Sequence, residues 1–245
     1  METISAFPHP AARQRAAAPG DCDICLLSHV CHSVPDAGSL PTAATLRARR
    51  IVHQGDAIYR TGDTLRNLYW LRSGSVKIRA TNPFGLEQII AFPVAGTILG
   101  LDAIEAGTHT SDAIALEDSL VCILPFPEFM GNCRRDFTAA QLINQMMAHD
   151  INELGRLLMS LGCMTAEERV ADFLMGMSER MAANGYSPRE FVLKMTREDI
   201  AKHLGMTVET VCRTLARLQA AALIRVNRRR LEIHNIEALR NMGHR

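Results

Sequence analysis

Residues Asp21 to His32 read Asp-Cys-Asp-Ile-Cys-Leu-Leu-Ser-His-Val-Cys-His, with Cys22, Cys25 and Cys31 inside ten positions. Thiolates at this density attract soft metal. Three are one short of a closed site, and the fourth ligand has to come from elsewhere. Zinc asks for tetrahedral thiolate or imidazole ligation, for which His29 or His32 would serve. An iron–sulfur cluster asks for four thiolates. The spacing does not choose between them. Cys122, inside Leu120-Val121-Cys122-Ile123-Leu124, reads first as a small buried hydrophobe and second as a candidate fourth ligand.

A second stretch with chemistry is Thr196 to Ala222. Thr196-Arg197-Glu198-Asp199 caps a short helix carrying Ile200, Ala201 and Leu204, and Gly205 ends it. Thr207 is placed to cap a second helix. Helix, tight glycine turn, helix is a helix-turn-helix. On the second helix Val208, Val211, Leu215, Leu218 and Ala222 share the core face, while Glu209, Cys212, Arg213 and Arg217 fall on the groove side. Leu223-Ile224-Arg225-Val226 and Leu231-Glu232-Ile233-His234 flank a basic tip, Asn227-Arg228-Arg229-Arg230. Such a wing sets Arg228, Arg229 and Arg230 against phosphates. The charge agrees. The chain is near neutral at +1, yet from Phe191 onward 11 Lys and Arg stand against 5 Asp and Glu. A basic tail on a neutral body points to nucleic acid.

These residues need elements to position them. Between Ala43 and Pro125 short apolar segments (Ala57–Tyr59, Leu68–Leu71, Val76–Ile78, Gln88–Phe92, Leu120–Leu124) alternate with Gly62-Asp63, Ser73-Gly74, Asn82-Pro83-Phe84-Gly85 and Ala95-Gly96. That spacing predicts a jelly-roll-like double sheet. Thr138 and Gln141 have capping-box spacing, so a helix is expected over 138–162. Met147, Ile151, Leu154, Leu158 and Leu161 repeat at four- and three-residue steps, the seam of a short coiled coil. Leu142, Ile143, Met146 and Leu157 widen the stripe so that it also covers the roll. Asp150 flanks the seam and faces Gly155 of the partner in this register, with no cation to offset it. Thr165-Ala166-Glu167-Glu168 starts a further helix toward Ala183. The architecture is α+β: a disordered tail (1–20), a cysteine-rich segment (21–34), an N-terminal jelly-roll (double-stranded β-helix) sensor domain (35–137), a dimerisation helix (138–163) and a C-terminal winged helix-turn-helix domain (164–245).

No apolar signal core opens the chain, and its most apolar run, Ile89 to Leu101, is broken by Pro93, Gly96 and Gly100. A cytoplasmic protein is expected, where seven cysteines are ligands, reactive groups or buried residues rather than structural disulfides. There is no phosphate-binding glycine loop and no nucleophile–base constellation, so an enzyme is not expected.

With these parts in place the chain resembles the CRP/FNR family of bacterial transcription regulators, from about Cys22 to His234. The resemblance is carried by Gly62-Asp63, Leu71-Arg72-Ser73-Gly74, Thr165 to Val170 and Met195 to Arg213. Within the family it is similar to the FNR branch, whose cysteine trio joins one distant roll cysteine. That implies a [4Fe–4S] cluster on Cys22, Cys25, Cys31 and Cys122. It also implies a homodimer that binds palindromic double-stranded DNA with TTGAT-like half-sites when oxygen is scarce, and that activates transcription by touching RNA polymerase. Phe84-Gly85 and Asn184 to Arg189 are candidate polymerase surfaces. The branch commonly has Ser where this chain has Cys212, which replaces a hydroxyl with a weak donor. Arg213 is suited to guanine O6 and N7, and Glu209 to a cytosine amino group. The cyclic-nucleotide branch implies Gly-Glu and Arg-Ser pairs in the roll. This chain has Gly100-Leu101-Asp102 and Thr108-His109-Thr110-Ser111-Asp112, with no Arg, which argues against an anionic nucleotide. The remaining alternative is structural zinc or redox thiols at the cysteines with a different effector in the roll.

Overall fold

The computed structural model describes residues 48–135 and 137–242. The tail, Cys22, Cys25 and Cys31 lie outside them. Residues 49–125 form eight short strands: β1 (Arg49–Val52), β2 (Ala57–Tyr59), β3 (Asn67–Ser73), β4 (Val76–Thr81), β5 (Glu87–Ala91), β6 (Ile98–Leu99), β7 (Asp112–Ala115) and β8 (Ser119–Pro125). They pair antiparallel as two four-stranded sheets, ordered β1-β8-β3-β6 and β2-β7-β4-β5. The apolar segments read from the sequence are β2, β3, β4, β5 and β8. The other three strands escaped because β1 opens on Arg49-Arg50, β6 has two residues and β7 begins with Asp112.

Alternation divides the roll into two cores. Val52, Ile58, Leu71, Val76 and Val121 meet between the sheets. Leu68, Trp70, Cys122 and Leu124 point the other way, off the outer face of the first sheet, and Phe129 covers them. Gly74 shows why Ser73-Gly74 is a fixed turn: its φ is +92°, and a Cβ there would sit 2.2 Å from Ser119 Oγ.

Helix α1 (Phe126–Arg135) leads almost directly into α2 (Phe137–Cys163). Thr138 therefore lies inside the first turn of α2 rather than capping it. Leu142, Ile143 and Met146 of α2 cover the outer face of the roll, as their side of the stripe implied. Helix α3 (Ala166–Ala183) starts on a full capping box, Thr165 with Glu168. Strand β9 (Glu190–Val192), helices α4 (Arg197–Leu204) and α5 (Val208–Ala220), strands β10 (Ile224–Asn227) and β11 (Arg230–Ile233) and helix α6 (Ile236–Met242) follow. The three strands form a small sheet ordered β10-β11-β9.

The C-terminal part does not stand apart from the roll. Its core, built on Phe173, Leu174, Ile200, Leu204 and Leu215, also takes in Ile89, Phe92 and Leu116. Polar contacts reinforce the joint: Lys77 Nζ lies 2.6 Å from Asp199 Oδ1, Lys202 Nζ 2.7 Å from Glu87 and Lys194 Nζ 2.8 Å from Glu117. His203 Nδ1 is 2.9 Å from the Ile89 carbonyl oxygen. Arg169 donates to the carbonyls of Leu161 (2.8 Å), Met164 (3.0 Å) and Leu204 (3.1 Å), tying the end of α2 to the end of α4. Among the described residues no helix is long and apolar enough to cross a membrane.

Candidate DNA interface and cysteine site

The reading unit is built by three local devices. Thr196 accepts from Asp199 N (3.0 Å) and donates its hydroxyl to Asp199 Oδ2 (2.8 Å), closing a capping box at the start of α4. Gly205 takes the left-handed conformation, φ 59°, and ends it. Thr207 Oγ1 accepts from Thr210 N at 3.1 Å and starts α5. Burial alone would raise the Asp199 carboxyl, but hydrogen bonds from Lys77 and Thr196 outweigh it and hold the group below the usual aspartate value.

Helix α5 buries Val211, Thr214, Leu215 and Leu218. Glu209, Cys212, Arg213 and Arg217 are exposed together on the other side. Two residues expected on the core face are elsewhere. Val208, in the first turn, is 42% exposed. Ala222 lies beyond the helix end at φ 55°. Glu209 and Arg213 stand 3.6 Å apart, one turn from each other, so donor and acceptor are presented side by side. Arg217 is committed to Glu167 at 2.6 Å and reaches α3. In the wing Asn227 pairs with Arg230, leaving Arg228 and Arg229 as the turn. Arg230 pairs with Glu190, so it is fixed within its sheet. Arg197, which the sequence reading passed over, donates to the Arg228 carbonyl at 3.3 Å and joins the start of α4 to the wing tip. Its position one residue after a cap was the only signal.

On α2 the stripe proposed as a seam is open: Met147 is 38%, Ile151 66%, Leu154 44% and Leu158 70% exposed. Leu161 is half-buried and faces its own chain, its Cδ2 lying 3.0 Å from where a Gly205 Cβ would be. Asp150 is half-buried, and burial pushes its carboxyl up to about 6.

Cys122 is 9% exposed, in the apolar cluster between the outer sheet face and α1 and α2. In the ladder it is paired with Arg49 of β1, and the neighbouring Ile123 N donates to the Ala48 carbonyl at 2.9 Å. The first described residues, Ala48 and Arg49, thus lie beside Cys122. Among the described residues no group of three or more His, Cys, Asp or Glu could hold a metal.

Residues 168–242 match the Crp-like helix-turn-helix domain, and residues 49–136 match the cyclic nucleotide-binding domain. The chain is 35% identical over 231 residues to the fumarate and nitrate reduction regulatory protein of Escherichia coli, covering 91% of this chain and 90% of that one. The chain belongs to the CRP/FNR family of transcription regulators. A transcriptional regulatory protein of Bordetella pertussis, Btr, is 36% identical over 223 residues, 90% of this chain and 92% of its own. The solved structure of FixK2 from Bradyrhizobium japonicum superposes with TM-score 0.73 at 28% identity, covering 80% of this chain and 96% of that one. As a CRP/FNR regulator the chain binds DNA and is not an enzyme, and the matched helix-turn-helix domain contains α4, α5 and the wing.

Proposed function

We propose that this CRP/FNR regulator responds to oxygen and binds DNA as a homodimer under anaerobic conditions. The observation that supports the reading is the pairing of Arg49 with Cys122, which sets the first described strand beside a cysteine buried in the roll. Similarity to the fumarate and nitrate reduction regulator supports it. Cys22, Cys25, Cys31 and Cys122 would hold the [4Fe–4S] cluster, and the apolar shell of Leu68, Trp70 and Phe129 suits a thiolate site shielded from water. When bound, such a centre supplies iron–sulfur bonds that oxygen breaks.

The protein's own residues do the rest. Leu142, Ile143 and Met146 at the start of α2 pack against the cluster that contains Cys122, so an N-terminal segment held at Cys122 would bear on that helix. The adjoining exposed stripe, Met147, Ile151, Leu154 and Leu158, pairs with a second copy. A segment released from Cys122 no longer braces α2, and pairing weakens. A two-fold dimer sets two α5 helices about one DNA turn apart on a palindrome with TTGAT-like half-sites. Losing one half-site contact loses most occupancy, and a coupling of about 1–3 kcal/mol is enough to switch. The protein works in the cytoplasm, with RNA polymerase as its partner on the promoter. The test is iron and sulfide content and the optical spectrum of protein purified without oxygen, followed into air. About four irons and four sulfides per chain, bleaching in air as DNA binding falls, is expected. Colourless protein with tightly bound zinc and air-stable DNA binding overturns the oxygen reading.

A further inference from the structure

A polar cluster in the roll lies apart from both the cysteine site and the reading helix. Between β6 and β7 the chain passes Gly100, a single 3-10 turn at Leu101–Ala103 and a loop back to Ser111. The Asp102 carboxylate is folded into that loop. Its Oδ2 accepts from the main-chain N–H groups of Thr110 (2.9 Å) and Ser111 (3.1 Å), and from the hydroxyls of Ser111 (2.9 Å) and Thr110 (3.3 Å). Its Oδ1 lies 3.1 Å from His109 Nδ1. Successive main-chain N–H groups converging on one point form an anion nest, and donors to a charged oxygen are the strong kind.

The surroundings close over the nest. The His109 ring is buried and stacks on Tyr59, centroids 3.8 Å apart. Burial, then the Asp102 charge, pushes the Tyr59 hydroxyl far up, so it stays a donor. The Arg79 guanidinium is taken by Asp112 at 2.6 Å and Glu87 at 2.7 Å. Tyr59, Gly100, Asp102 and Ser111 line one end of a cavity of about 560 Å³ that runs between the roll, α2 and α3.

We propose that Asp102 is a tethered ligand: its carboxylate fills an oxyanion site in the roll, closing that site to diffusible carboxylates and phosphates. The donors are already used, and a second anion would meet the negative charge of Asp102 at contact distance. A guest at this end of the cavity is neutral or cationic. The roll matches a domain described as cyclic nucleotide-binding, yet the Thr110 and Ser111 donors of this loop are already taken by Asp102. The inference does not depend on the cysteine site, because it concerns residues on a different loop.

The test is thermal melting of the full chain and of D102A and D102N, in chloride and in acetate or inorganic phosphate at equal ionic strength. Wild type is expected to melt alike in all three. D102A should melt about 5 °C lower in chloride and recover part of the loss, saturably, at about 100 mM acetate or phosphate. D102N still fills the nest, its amide oxygen toward the Thr110 and Ser111 donors and its NH2 toward His109 Nδ1, so it should show no anion rescue. Saturable stabilisation of wild type by phosphate or a cyclic nucleotide overturns the proposal. So does a D102A variant with no more anion response than wild type, or a D102N variant rescued by anions as D102A is.

Discussion

The joint between roll and reading domain turns on His203, and its behaviour in acid can be worked out. Its ring sits among Phe92, with centroids 5.0 Å apart, Phe173 at 5.7 Å and the Ile89 carbonyl. Burial, with Arg180 adding to it, lowers its pKa from 6.5 to about 4, against a partial rise from the bond to Ile89. The folded value lies below the unfolded one, so the unfolded chain takes the proton first. Stability from the neutral ring is complete above about pH 6.5 and falls as pH drops toward 4. Between pH 7 and 5 the loss is roughly 2 kcal/mol. Asp150 runs the other way. Its folded value is raised, so acid relieves a charged group that burial disfavours, returning roughly 1 kcal/mol over the same interval. Asp150 thus masks about half of the His203 effect in wild type. In an Asp150→Asn background the urea midpoint should fall by ~1 M between pH 7 and pH 5, for a slope of about 2 kcal/mol/M. Adding His203→Gln should remove most of that fall, whatever it does to stability at pH 7. An unchanged fall in the double variant refutes the assignment to His203.

Three other outcomes follow from the geometry. Arg213→Ala should cost about 1–3 kcal/mol in DNA binding and relax preference at one G·C pair, read by titrating base-substituted half-sites. Leu154→Asp should leave the chain folded but monomeric in sedimentation, with binding to a two-half-site DNA lost, while Asp150→Ala should shift cluster-free protein toward dimer. Lys77→Met should destabilise the fold by about 1–3 kcal/mol in urea unfolding at pH 7, less than a fully buried break because Thr196 still donates to Asp199. Asp199 is held below its ordinary value by that lysine, so the difference from wild type should vanish as pH falls below about 4.

What was legible in the sequence was local. Thr165 with Glu168, Thr196 with Asp199, and Gly205 are signals within one turn of chain, and each is a formed cap. The strands with alternating apolar residues were visible for the same reason. The joint was not. Lys77 and Asp199 are 122 residues apart, and neither carries a neighbouring pattern that names the other. Leu161 shows the same limit from the opposite side: its heptad position is right for the seam, but the Gly205 turn of its own chain lies against it. Asp102 entered the sequence argument only as part of Gly100-Leu101-Asp102, and only the folded loop shows that its carboxylate collects five hydrogen-bond contacts. Cys122 could be placed on its face with Leu124, yet its neighbour Arg49 belongs to a strand with no apolar alternation to announce it.

The layout of α2 explains why one helix can serve both ends of the proposed switch. It has 27 residues and so spans about 40 Å. Its first turns lie over the sheet face that holds Cys122, and its last carbonyl-bearing turn is gripped by Arg169, which also holds the end of α4. A tilt imposed at the first end is therefore delivered to the second without passing through a flexible linker. The roll adds a second restraint on α4, through Lys77, Glu87 and Ile89. The reader is thus held at two points, and in the proposed switch a bracing change at Cys122 would act on α2 while the roll also restrains the reader. Pairing along Met147, Ile151, Leu154 and Leu158 is the variable left to respond. That is why oxygen dependence, on this geometry, should be read first as a change in dimerisation and only through it as a change in DNA affinity.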